Sequence, residues 1–178
     1  MNRTKKSVLT ADCIALCVVL PMAFHSIPNA GSIFCPMHIP VLLCGLICGW
    51  KFGLLCGITG PILSSMLTQM PSFAILPAMA VELAVYGITT GALMQHIHTG
   101  KLKTDLYISL ITAMLLGRIA AGAAKALLFA SGEYSIAAWV TGHFITAWPA
   151  LIIHIVLIPL VYLTLLRAGL IAVREHKH

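Results

Sequence analysis

LYISLITAMLLGRIAAGAAKALLFA, Leu106–Ala130, is a run of 25 residues whose only charges are Arg118 and Lys125. About 20 predominantly apolar residues in a helix cross the hydrocarbon core of a bilayer. This run is long enough to do so, and two cations inside it need a physical reason to be there. Working outward, the polar run Gln95–Thr104 closes a preceding apolar segment, Phe73–Met94, which carries its own internal charge, Glu82. Further apolar segments lie at Val8–Phe24, Pro36–Gly49 and Phe52–Thr68, the last with Pro61 as an expected kink or break. Gln69–Ser72 reads as a tight connection, His25–Cys35 and Ser131–Ser135 as loops. Ile136–Leu166 is too long for one straight span. A loop or interfacial stretch is expected before a final helix from about Ala147.

Composition agrees. Of 178 residues, 60% are hydrophobic and 9% charged, where a soluble domain has about a quarter charged. Mean hydropathy is +0.98. The expected fold is therefore an all-α membrane protein. It is a single integral domain of about six transmembrane helices, roughly 8–24, 36–49, 52–68, 73–94, 106–130 and 147–166. The net charge of +6 does not point to nucleic acid, because the basic residues bracket apolar runs and form no patch interleaved with aromatics. With both termini cytoplasmic, Arg3, Lys5, Lys6, Lys51, Lys101, Lys103, Arg167, Arg174 and Lys177 all fall inside. The outer loops receive none of the eleven basic residues, as the positive-inside rule requires. Reading the first segment as a cleaved signal would break this pattern, so it is kept as a span.

Five of the six cysteines (Cys13, Cys17, Cys44, Cys48, Cys56) lie inside apolar segments and read as small packing residues; only Cys35 falls in an outer loop. Gly45, Gly49, Gly53 and Gly57, with Gly87 and Gly91, have the spacing of close helix contacts.

Ionisable groups in hydrocarbon are functional candidates. Glu82 is expected roughly 12–14 Å from its outer helix end and Arg118 roughly 18 Å from its own. They either pair with each other or face a cavity open to the outside. Lys125, two turns outward of Arg118, favours the cavity, since stacked cations suit a carboxylate or phosphate. A second group is His25 with Cys35-Pro36-Met37-His38, joined by Met66 and Met70 and, later, His143 and His154. Met and His are ligands of haem iron, so His38 and Met37 are candidate metal ligands if the bound molecule is haem. No P-loop, zincin or nucleophile-elbow motif occurs, and no intrinsic cofactor or enzymatic chemistry is expected.

Three stretches carry a resemblance: Pro36-Met37-His38-Ile39-Pro40-Val41-Leu42-Leu43-Cys44-Gly45, Gly57–Met70-Pro71, and Val81-Glu82-Leu83-Ala84-Val85-Tyr86-Gly87. With the A-x-x-x-A pattern of Ala11 and Ala15, the chain resembles the substrate-binding S components of energy-coupling factor transporters. The resemblance implies a multi-pass protein of the bacterial plasma membrane that binds a vitamin or similar micronutrient from outside. It also implies partners: a transmembrane coupling subunit, docked on the Ala11/Ala15 face, and two ATPases that hydrolyse ATP. Haem stands slightly ahead as the carried molecule, with an acidic vitamin such as pantothenate next. The pocket is expected from His25, Met37, His38, Met66, Met70, Glu82, Arg118 and Lys125. Other classes remain open: an electron-transferring membrane haem protein, with His38 and His154 as axial pair, or an intramembrane enzyme.

Overall fold

The computed structural model describes residues 1–24, 30–128 and 136–171. His25 and the expected loop Ser131–Ser135 lie outside the described residues. Every regular element among them is helical: α1 (Arg3–Ala23), α2 (Ala30–Phe34), α3 (His38–Cys48), α4 (Trp50–Thr68), α5 (Leu76–His96), α6 (Leu102–Leu128), α7 (Ile136–Val140), a π-helical turn Thr141–Ile145, and α8 (Trp148–Arg167). α1, α4, α5, α6 and α8 are long and apolar enough to cross a membrane. Their outward faces carry Val19, Ile62, Leu116, Ile119, Val156 and Leu160, all exposed, as lipid-facing residues must be.

The sixth apolar segment differs in kind. At 11 residues, α3 is only about 16 Å long, short of the ~30 Å hydrocarbon thickness. Nine of those residues are buried, enclosed by α1, α4, α5 and α8. It is apolar because it lies inside protein, a reason that hydropathy cannot separate from contact with lipid. α3 is joined to α4 through Gly49 alone, whose φ of +94° places it where glycine has no Cβ penalty.

Several boundaries move, each for a local reason. α4 runs unbroken from Trp50 to Thr68 through Pro61, where a kink or break was expected. It stops at Gln69 in the left-handed conformation, and the hydroxyls of Ser64 and Ser65 donate to the Met70 and Pro71 carbonyls (2.6 and 2.7 Å). Those bonds make the tight connection foreseen at Gln69–Ser72. α5 begins at Leu76, not Phe73, because Ser72–Ile75 forms a turn (Ile75 N donating to Ser72 O, 3.1 Å). α6 begins at Leu102, earlier than Leu106, and its polar first turn is set by Asp105, whose Oδ1 accepts from the Thr99 amide and hydroxyl (2.9 and 2.6 Å). Part of the loop expected at His25–Cys35 is helical, as α2. The stretch expected before the last helix is α7 and the π-helical turn.

The core has two textures. α4 and α5 cross where glycine meets glycine, developed in the Discussion. Around α1, α3 and α4 the apolar cysteines fill the seam as free thiols. Cys44 Sγ donates to Phe52 O (3.5 Å), Cys17 to Met37 O (3.8 Å) and Cys48 to Lys6 O (3.7 Å). Their expected role as small packing residues matches this placement.

Candidate functional site

One end of the bundle opens into a cavity of about 860 Å³. The carboxyl ends of α1, α4 and α6 converge there with the amino ends of α3, α5 and α8. Its wall includes Met37, His38, Met70, Glu82, Arg118 and Lys125, together with Cys35 and His143. Met66 does not belong to it: at 71% exposed, it points away on the outer face of α4. Six of the eight expected pocket residues are therefore brought together, His25 is outside the described residues, and Met66 is a miss. A Met one turn away from Met70 reads identically in sequence, and only the helix rotation separates them. Ala11 and Ala15 lie far from the cavity, both exposed on α1.

At the centre is Glu82 on α5. Its Oε1 accepts from the Tyr86 hydroxyl (3.0 Å) and lies 3.5 Å from His38 Nε2 and 3.9 Å from His143 Nδ1. Tyr86 follows Glu82 by four residues, the spacing that places two side chains on one helix face. That signal was available in the sequence and not used. His38 packs edge-on against Tyr86 (centroids 5.1 Å) and stacks on His154 of α8 (5.8 Å, 18°). Because α5 starts at Leu76, Glu82 lies roughly 9 Å from its helix end, shallower than expected; Arg118 lies roughly 15 Å from Leu128, the last described residue of α6.

Arg118 does not pair with Glu82. Among the described residues, the side chains within 4 Å of that carboxylate that can carry positive charge are the two histidines. The guanidinium lies over the Phe144 ring (5.5 Å), and the backbone carbonyl of Arg118 accepts from Trp139 Nε1 (3.0 Å). Nothing in the sequence pointed to Trp139 or Phe144, which reach α6 from α7 and the π-helical turn. Arg118 is 2% exposed, and its Nε is left without a hydrogen-bond partner. A buried charged donor with an unmet bond carries a desolvation cost that only a further acceptor removes.

Lys125 Nζ lies 3.1 Å from His143 Nε2. Burial pushes the His143 imidazole down to about 4, so it is neutral at pH 7. The tautomer protonated on Nδ1 satisfies both neighbours: Nε2 accepts from the ammonium and Nδ1–H faces Glu82. Single-residue displacement by the π-helical turn, a feature common at functional sites, is what turns His143 inward. Cys35, in a left-handed backbone conformation (φ +44°), borders the mouth; burial raises its thiol to about 12, which keeps it protonated and a poor nucleophile.

No group of three or more His, Cys, Asp or Glu side chains among the described residues is placed to hold a metal ion. The arrangement is that of a binding pocket whose lining combines two cations and a carboxylate with apolar residues. Comparison with curated proteins and with solved structures gives no significant match. A family model described as "ECF transporter, substrate-specific component" matches residues 5–162. That match covers most of the chain and agrees with its multi-pass helical architecture, and the protein belongs to the family of substrate-specific components of ECF transporters.

Proposed function

We propose that the chain captures an acidic, cofactor-like micronutrient in this cavity, as the S component of an ATP-driven importer. It delivers the cargo with a transmembrane coupling subunit and two ATPases. The observation that carries this reading is Arg118, a buried guanidinium on the cavity wall with an unmet donor and, among the described residues, no carboxylate paired to it. Lys125 adds a second cation on the same wall.

If both termini are cytoplasmic, with α3 returning the chain inside the protein and the five long helices crossing the lipid, the cavity faces the outer side. The basic residues Lys6, Lys51, Lys101, Lys103 and Arg167 occupy the opposite helix ends, which the positive-inside rule assigns to the cytoplasm.

Both haem and an acidic vitamin such as pantothenate carry carboxylates, and the cavity is within the range of small-molecule sites. The position of Met66 on the outer face removes part of the thioether supply that favoured haem, and the reading moves toward the vitamin. The electron-transfer alternative, with His38 and His154 as its axial pair, rests on two rings in nearly parallel planes with centroids 5.8 Å apart, and no other observation favours it. Mass spectrometry of small molecules that co-purify with the protein tests the proposal. An acidic metabolite is expected, and a cationic or purely apolar one would overturn it.

A further inference from the structure

We infer that the ligand is a monoanion that also carries an N–H or O–H donor, with its acidic group at Arg118 and Lys125 and its donor at Glu82. The inference rests on the transport reading above and narrows its substrate class. Two observations carry it. The first is charge. Among the described residues, Arg118, Lys125 and Glu82 line the cavity, and these fixed charges leave one positive charge in excess. A monoanion cancels that excess, and a dianion overshoots it in a space where unpaired charge is costly.

The second is the geometry of Glu82. His38, His143 and Tyr86 all converge on Oε1. Oε2 receives no hydrogen bond from the described residues, although the side chain borders the cavity. A ligand without a donor would cover this oxygen and leave it unsatisfied. Sites built to hydrogen-bond a ligand group reject analogues that lack it far more strongly than apolar pockets reject a change of size.

The test uses the full chain in lipid nanodiscs and four probes, with thermal stabilisation and equilibrium titration as readouts. Pantothenate and biotin are monoanions with N–H donors. Lipoate has the same pentanoate tail as biotin on a five-membered ring, without a donor, and haemin is a dianion without one. Binding is expected from pantothenate or biotin, with lipoate and haemin weaker by roughly tenfold to a hundredfold, the worth of one hydrogen bond to a charged group. Glu82→Asp, which keeps the charge and withdraws the carboxylate, should weaken the donor probe by roughly tenfold and leave lipoate unchanged. Equal or tighter binding of lipoate or haemin overturns the inference, as does failure of both donor probes. In either case the transport reading stands if the chain still associates with a coupling subunit and supports uptake; loss of that association overturns the reading itself.

Discussion

Gly53 on α4 and Gly87 on α5 meet backbone to backbone: a Cβ on either would overlap the carbonyl of the other. Gly57 makes the same approach to the Leu83 carbonyl, and Gly91 to the Gly49–Trp50 peptide. Helices in lipid gain nothing from hiding apolar surface from each other, so close backbone packing is what holds such a crossing. Gly87→Ala should therefore destabilise the protein by about 1–3 kcal/mol, the usual cost of overpacking. Gly142→Ala, where nothing lies within 4 Å, is the control. Thermal unfolding in detergent should separate the two, and equal melting temperatures would refute this account of the crossing.

Arg118→Ala should weaken ligand binding by about 1.5–3 kcal/mol, the contribution of a hydrogen bond to a charged group. It should cost little stability, since no carboxylate among the described residues is orphaned. Glu82→Ala should do the opposite to the fold. It strips Tyr86 of its acceptor and removes the carboxylate that His38 and His143 face, at about 1–3 kcal/mol. Titration and melting curves on both variants decide the matter; an Arg118→Ala protein that unfolds early and binds normally would contradict it.

Ala11 and Ala15 lie exposed on one face of α1. Tryptophan at either position should block docking on the coupling subunit, because a small-residue helix contact cannot admit a large side chain. Uptake should be lost while the isolated chain still binds its ligand. Normal uptake by both variants would remove this face from the coupling step.

His143 gives a pH signature. Its folded value, near 4, lies below the ordinary 6.5, so the unfolded chain binds more protons between those values. The stabilising contribution of neutral His143 is fully present above about pH 6.5 and is lost as pH falls toward 4. Protonation would also set a cation against Lys125, 3.1 Å away. Melting temperature should decline on acidification from pH 7 to 5, and His143→Gln should flatten that decline. An unchanged slope would place the titrating group elsewhere.

Reporter fusions after Lys103 and at the carboxyl terminus should read cytoplasmic, and one near Gly132 external. A carboxyl terminus on the outer side would rule out six crossings.

The long helices were legible because each is a sustained apolar run bounded by charge, and lipid imposes that pattern on every residue it touches. α3 was legible as an apolar segment but not as a short enclosed helix, since burial in protein and in lipid select the same side chains. In the cavity, Glu82 and Arg118 stood out by cost: a charge in an apolar run demands an explanation whatever the fold. Their partners did not stand out. Whether Glu82 meets Arg118 or His38 depends on helix rotation and on a π-helical turn more than 50 residues away in the chain, and no local pattern encodes either. Met66 failed for the same reason in reverse, a plausible residue on the wrong side of its helix.

The one-residue junction at Gly49 makes α3 and α4 a bent lever. α4 presents Leu55, Ile58, Ile62 and Leu63 to the surroundings, and α3 carries His38 at its far tip on the cavity wall. With no loop between them to absorb displacement, a tilt imposed on α4 should travel along α3 to His38 and so to Glu82. A surface that leans on α4 would then reshape the cavity wall without touching it.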